Sequence, residues 1–240
     1  MGIFGGADGP TAVFIGAYGE VNILLVVLAA VIAYLIGCIS PSIMLGRAKG
    51  IDIKKEGSGN AGTTNALRVM GKKAGAITLI IDILKGVVAV LVGNLIAGPV
   101  AGMCCAVTAF CGHVWPVFYK FKGGKGVATA FGVLLGIDVW LGLAAFGVVL
   151  IAVLISKRMS VGSLAGAVCF PALAFFLEPD FIIPGTALAI AIIIKHRSNI
   201  ARLLRGEEPV MSIFDKSKNN SEKEQEKPAE AVDADDEFRS

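Results

Sequence analysis

Charge is scarce in this sequence: Asp, Glu, Lys and Arg make up 17% of its 240 residues, and aromatic residues 8%. An ordinary soluble domain carries about a quarter charged residues, so a soluble enzyme is excluded, as are fibrous and disordered chains. Histidine occurs twice. The five cysteines, Cys38, Cys104, Cys105, Cys111 and Cys169, form no C-x-x-C pair and no Cys/His spacing that suits zinc. All five lie in apolar stretches and read as small buried residues. The polar motifs hold no Asp/Glu cluster that would suit Mg²⁺, and there is no G-x-S-x-G elbow. No metal and no cofactor is expected, and nothing points to a nucleic-acid partner. The first twenty residues lack the basic start of a signal peptide, and Asp8-Gly9-Pro10 interrupts any apolar core.

What the chain does have is apolar length. Hydrophobic residues make up 55% and the mean hydropathy is +0.74. A membrane span needs roughly 20 mostly apolar residues, and backbone polar groups in lipid must be paired within the segment, so the spans are helices. Seven are expected: Val21–Gly46, Ala74–Gly98, Val100–Phe118, a short one from Gly126 to near Asp138, Val139–Ser156, Val161–Leu177 and Phe181–Lys195. Loops 47–73, 119–125 and 157–158 and the chain after residue 194 then share one side. They hold 7, 3, 2 and 9 basic residues, 21 of the 22. The exception, Lys85, lies inside a span. Cytoplasmic loops carry the Lys/Arg excess, so the N-terminus is expected outside and the C-terminus in the cytoplasm. Merging any two neighbouring spans would push basic loops outside. The expected architecture is an all-α integral membrane protein of seven transmembrane helices. Residues 1–20 form an outside extension, 21–210 the membrane domain and 211–240 an acidic tail. From Asp215 onward the tail has nine acidic and five basic residues and no periodicity, which reads as solvated and disordered.

Three segments on the basic side carry chemistry. The first, Gly57-Ser58-Gly59-Asn60-Ala61-Gly62-Thr63-Thr64-Asn65-Ala66-Leu67-Arg68, combines glycines, small polar side chains and an arginine. Glycines let backbone N–H groups approach an anion, and hydroxyls and Arg68 add donors. It is not a Walker A loop. The second runs from Gly112 to Thr129. It has His113 at the end of a span, then Lys120, Lys122, Gly123, Gly124, Lys125 and Gly126 ahead of a helix start. A helix N-terminus beside lysines is an anion site. Lys120, Trp115 and Tyr119 read as interfacial anchors. In the third, Lys195 to Glu208, His196, Asn199 and Arg202 recur every third residue and share a helix face, and Gly206 is placed to end the helix. Two features sit apart. Asp82 and Lys85, i and i+3 within a span, read as a self-neutralising structural pair. Ser160 and Ser163, at the start of span six, read equally as N-caps or as site residues. Neither histidine is followed five residues on by Asp: those positions are Phe118 and Ala201. The H-x4-D motif of soluble and peripheral glycerolipid acyltransferases is therefore absent.

The motifs GSGNAGTTNALR (57–68), GHVWPVFYKFKGGKGVAT (112–129) and HRSNIARLLRGEE (196–208), with Asp82…Lys85-Gly86, resemble the bacterial acyl-phosphate:glycerol-3-phosphate acyltransferases of PlsY type. The resemblance covers about residues 21–210. It implies a seven-helix enzyme of the bacterial cytoplasmic membrane, facing the cytoplasm. Such an enzyme passes a fatty acyl group from acyl phosphate to the 1-hydroxyl of glycerol 3-phosphate, giving lysophosphatidic acid and inorganic phosphate, the first step of phospholipid synthesis. It implies Ser58, His113, His196 and Asn199 as catalytic residues. Asn60, Thr64, Asn65, Arg68, Lys122, Gly123, Gly124, Lys125, Gly126, Arg202 and Glu208 are implied as substrate-binding. The partners implied are glycerol 3-phosphate, a fatty acyl phosphate, the lipid bilayer and a functional link to an acyl-phosphate-producing enzyme, with the chain a monomer. Two features depart from the family. Pro41 falls one place later than the usual Gly-x-Ile-Pro turn, and the N-terminal extension and acidic tail are not general features. Residues 5–14 resemble a short motif of sodium-pumping decarboxylase membrane subunits, but an ordinary extension is the simpler reading.

An acyl phosphate is a mixed anhydride whose phosphate leaves readily, so positioning and preorganised donors can supply most of the catalysis. A substrate phosphate, His113 or His196 is each a candidate proton acceptor. Two other readings stay open at this point. One is a transporter, which also uses broken helices and intramembrane charge. The other is the same enzyme with acyl-CoA or acyl carrier protein as donor.

Overall fold

The computed structural model describes residues 21–211 and Phe214; the expected N-terminal extension, its residues 5–14 and nearly all of the acidic tail lie outside these. All regular structure among the described residues is helical. In chain order the helices are α1 Ile23–Gly37, α2 Pro41–Ala48, α3 Thr63–Met70, α4 Lys72–Val114, α5 Val127–Ile137, α6 Val139–Ser156, α7 Met159–Leu177, α8 Ile182–Lys195 and α9 Arg197–Leu204. By length and composition four helices suit a bilayer, or up to five if the bent pair Pro179–Lys195 and Arg197–Leu204 counts as one.

The long α4 is not one rod. Ala97 and Gly98 leave helical geometry, Gly98 with φ 78°, and Pro99 follows. Gly93 lies against the Ala101 carbonyl and Gly102 against Asn94, so arms 72–96 and 99–114 fold back on each other. This is the turn that Gly98-Pro99 predicts, since glycine takes positive φ without strain and proline cannot continue a helix. The first apolar run also divides: α1 ends at Gly37, and Pro41 opens α2 at the first helical position, where its missing N–H is no loss.

Small residues let these helices approach closely, as packing in lipid requires. Ala29 and Ala33 of α1 bury against Ala89, Cys105 and Ala109 of α4. A Cβ at Gly37 would strike the Ala109 carbonyl, and one at Gly132 of α5 the Ile83 carbonyl. A second core joins the later arm of α4 to α5 through α8, with Phe110, Val133, Leu141, Phe170 and Phe181 at its centre. The outer surface is apolar instead: Leu95, Trp140, Ile155, Phe176 and Ile183 are all at least 72% exposed. A belt of this kind faces lipid.

Candidate active site

The first motif folds as a loop capped by a helix. Gly57 and Gly59 take positive φ, and Asn65, on the first turns of α3, ties the loop down. Its Oδ1 accepts from the Ser58 N–H at 2.9 Å, while its Nδ2 donates to the carbonyls of Ile53 and Glu56 at 3.1 and 3.0 Å. Asn65 is buried while Ser58 is exposed. The Asn65 carboxamide thus holds Ser58 in place.

The second motif wraps around His113. Gly123 and Gly124 donate their N–H groups back to the carbonyls of Val114 and His113. A Cβ at Gly124 would collide with the His113 ring and the Ala61 carbonyl, so the first and second motifs meet where only glycine fits. Gly126, with φ 85°, is the N-cap of α5 and makes no side-chain cap bond. The free N–H groups of that first turn lie next to Lys125, an arrangement of the kind that suits an anion. Burial pulls the Lys125 ammonium down to about 8; Glu208 opposes this, and Arg202 and Arg68 add to it.

The third motif closes the site. Gly206, with φ 73°, ends α9: its N–H reaches the Leu203 carbonyl, and the Glu207 N–H reaches that of Arg202 at 2.8 Å. This 6→1 and 5→2 pairing reverses the chain and brings Glu208 back over the helix. Glu208 Oε1 accepts from Asn199 Nδ2 at 2.6 Å and Oε2 from Arg202 Nε at 2.7 Å. Burial pushes the Glu208 carboxyl up, but the Asn199 and Arg202 hydrogen bonds outweigh it and hold it below the usual range. Asn199 Oδ1 in turn accepts from Lys125 Nζ. The Arg158 Nε donates to the Glu208 carbonyl at 2.9 Å and fixes the returning strap to the α6–α7 turn.

These elements line one cavity of about 540 Å³. Its polar mouth gathers Ser58, Asn60, Thr64, Asn65, Arg68, His113, Lys125, Gly126, His196, Asn199, Arg202 and Glu208. Below the mouth the walls are apolar: Phe131 and Leu134 of α5, Ala145 and Val149 of α6, Phe170 of α7, and Leu188 and Ile192 of α8. A polar mouth over an apolar groove accommodates a molecule with an anionic head and a hydrocarbon chain.

Of the fifteen site residues expected from sequence, Lys122, Gly123 and Gly124 do not line this cavity. Lys122 is exposed to solvent, and the two glycines act through their close passage over His113. Gly57, Gly62, Thr63, Ser160, Ser163 and Asp82 join the lining. The capping alternative for Ser160 and Ser163 does not hold, since Arg158 is the N-cap of α7 and Ser163 Oγ donates to the Met159 carbonyl. Asp82 and Lys85 do form the expected pair, at 2.7 Å, but they also reach His113 (Lys85 Nζ to Nδ1 at 2.8 Å and Asp82 Oδ1 to Nδ1 at 3.4 Å). The signal was a pair of charges inside a span, which marks function by default. Its target was invisible because 28 residues separate Lys85 from His113.

Residues 27–206 match a family model described as glycerol-3-phosphate acyltransferase. A glycerol-3-phosphate acyltransferase of Thermoanaerobacter pseudethanolicus is 46% identical over 185 residues, covering 76% of this chain and 93% of its own. One of Thioalkalivibrio sulfidiphilus is 46% identical over 194 residues, covering 79% and 95%. The crystal structure of PlsY (YgiH), an integral membrane glycerol 3-phosphate acyltransferase in its glycerol 3-phosphate form, superposes with a TM-score of 0.74 at 31% identity. It covers 79% of this chain and 99% of that one.

Proposed function

The chain belongs to the glycerol-3-phosphate acyltransferase family, and we propose that it transfers a fatty acyl group from an acyl phosphate to the 1-hydroxyl of sn-glycerol 3-phosphate. The products are lysophosphatidic acid (1-acyl-sn-glycerol 3-phosphate) and inorganic phosphate, and the reaction opens bacterial phospholipid synthesis. The observation that carries this reading is the single cavity that joins three cationic side chains, Arg68, Lys125 and Arg202, to an apolar groove. Two phosphate-bearing substrates need several cations at the mouth, and only one of them needs a hydrocarbon groove.

In this reading the phosphates sit on Arg68, Arg202, Lys125 and the free N–H groups after Gly126, with Asn60 and Thr64 as further donors. Lys122 contributes from the rim as a cation that draws anions in. Ser58, His113, His196 and Asn199 surround the reacting carbonyl and hydroxyl. Asn65 and Glu208 serve binding indirectly, by holding Ser58, Asn199 and Arg202. Bringing a hydroxyl and an activated carbonyl into contact removes the entropic cost of a bimolecular encounter, and donors aimed at the forming oxyanion lower the barrier further.

The membrane arrangement proposed with it has seven crossings: residues 23–48, the two arms of α4, the short α5, then α6, α7 and α8. The N-terminus lies outside and the C-terminus and active site face the cytoplasm, in a domain of residues 21–210 flanked by an extension and an acidic tail. The chain works as a monomer in the cytoplasmic membrane, fed by an enzyme that makes acyl phosphate.

Purified protein in detergent, given glycerol 3-phosphate with either palmitoyl phosphate or palmitoyl-CoA, tests the reading. Release of phosphate and lysophosphatidic acid with palmitoyl phosphate alone is expected. Turnover with the thioester alone would keep the acceptor and overturn the donor. No turnover with either, in a folded sample, would remove the reading.

A further inference from the structure

Lys85 Nζ lies 2.7 Å from the Ile39 carbonyl, 2.7 Å from Asp82 Oδ1 and 2.8 Å from His113 Nδ1. An ammonium has three donors and no acceptor: two of its contacts here are hydrogen bonds, to the Ile39 carbonyl and to His113 Nδ1, and Asp82 Oδ1 is held as an ion-pair partner without a hydrogen bond of its own. All three side chains are buried: Asp82 is 1% exposed, Lys85 4% and His113 7%. The cluster is therefore not a surface ion pair that happens to touch a ring.

From this geometry we infer that Lys85 is a positioning residue that locks His113 as a neutral ring with its hydrogen on Nε2, so that His113 donates to substrate and does not take its proton. Nδ1 must accept, because the group facing it can only donate. Asp82 does not reverse this. Its Oδ1 stands 3.4 Å from Nδ1, outside the usual range for a good N–H···O bond, whereas Lys85 is within it. A proton on Nδ1 would set two donors against each other at 2.8 Å. With that lone pair committed, the neutral ring carries its hydrogen on Nε2, and no free lone pair remains to act as a base. Among the described residues no hydrogen bond is made to Nε2, which lies against Gly124, and His113 lines the same cavity as Ser58 and Lys125.

The second histidine shows the opposite arrangement. His196 Nδ1 is 2.8 Å from the Ile192 carbonyl. A carbonyl only accepts, so Nδ1 carries the hydrogen and Nε2 keeps a lone pair. The two rings thus offer different atoms to the same cavity. On the proposed acyl transfer, on which the role at substrate rests, the acceptor oxygen bonds to the acyl carbon while its proton leaves. The carbon–oxygen bond to phosphate then breaks, with the electron pair departing on phosphate. His113 Nε2–H meets an oxygen that gains negative charge in this sequence, and the proton goes to His196 or to the phosphate itself.

The chain has only two histidines, so selective ¹⁵N-histidine labelling of the full protein, purified in detergent on a tag without histidine, reports both rings directly. The expected spectrum shows one ring with a protonated Nε2 and a pyridine-type Nδ1, and one with the reverse, assigned with His113→Gln and His196→Gln. In Lys85→Met the His113 pattern is expected to become a tautomer mixture while His196 is unchanged. A wild-type His113 ring protonated on Nδ1, or an unaltered His113 pattern in Lys85→Met, overturns the lock. Turnover tests the donor role separately. A glutamine amide N–H stands in for Nε2–H, so His113→Gln is expected to recover at least about tenfold of the kcat that His113→Ala loses, general acid–base or donor contributions being about 10²–10⁴. Equal loss in both variants overturns the donor role. If wild-type protein turns over no acyl phosphate, the functional reading fails while the spectrum still decides the lock.

Discussion

At the scale of single residues, the mouth of the cavity depends on cations kept close enough to weaken one another. Lys125 shows the consequence. Burial, with Arg202 and Arg68, lowers its ammonium to about 8, against the pull of Glu208. It is therefore charged below about pH 8 and neutral above, and only the charged form attracts a phosphate. Since kcat/KM follows the ionisation of the free enzyme, it is expected to fall as pH rises through about 8. In Lys125→Arg the guanidinium stays charged, so the remaining activity should keep its plateau well beyond that point. Matching pH profiles for the two proteins would separate the decline from Lys125. Arg68, on α3, is exposed at the rim and free to meet an anion. Hydrogen bonds to charged groups contribute about 1.5–3 kcal/mol, so Arg68→Ala is expected to lose at least about tenfold in kcat/KM at equal membrane expression. An unchanged value would take Arg68 out of the site.

At the scale of elements, the groove between α5, α6, α7 and α8 is lined by Phe170, the furthest residue along α7 to reach it. Its ring packs edge-on against Phe181, centroids 6.3 Å apart, and a Cβ at Gly185 would collide with it. Phe170 stands eleven residues beyond Met159 on α7, about 16 Å along the helix axis. Carbon–carbon bonds of about 1.5 Å, zigzagging, put roughly a dozen methylenes in that depth. Phe170→Ala should let a chain reach further. Each newly buried methylene contributes about 0.8 kcal/mol, so two of them should raise the kcat/KM ratio of stearoyl over palmitoyl phosphate by about tenfold. A ratio that does not move would mean the acyl end lies elsewhere, with lipid as the obvious alternative. Elements also mark where sequence reading stops. The α9 face, its glycine stop and the Gly98-Pro99 turn were legible because their signals are local: a period, a left-handed residue, a missing N–H. The roles of Asn65 and Glu208 were not. Both read as ligand-binding types, and only the folded loop shows their polar atoms engaged by Ser58, Ile53 and Glu56, or by Asn199 and Arg202. Asp82 and Lys85 were visible as a pair, but their contact with His113 crosses between the two arms of α4.

At the scale of the whole molecule, the cations and the site lie together. The segments that line the polar mouth, 57–68, 125–126 and 196–208, belong to the loops that hold nearly all of the Lys and Arg. In the proposed reading the same charges draw phosphates to the mouth and set the orientation of the chain, because cytoplasmic loops keep the basic excess. The proposed topology follows from that double use, and it makes parity testable. In that topology Glu178, between α7 and α8, follows six crossings, and Ser221 would follow seven. With the five native cysteines replaced, Glu178→Cys should react with a membrane-impermeant maleimide in intact spheroplasts, and Ser221→Cys only once the membrane is opened. Retained turnover in both variants would certify the fold. If both sites reacted from outside, the crossing through α8 would be lost and Arg202 and His196 would face away from the cytoplasm. If neither reacted until the membrane was opened, the same crossing would fall with the opposite orientation. Only the split result is compatible with a chain that crosses seven times and keeps its anion-binding mouth on the basic side.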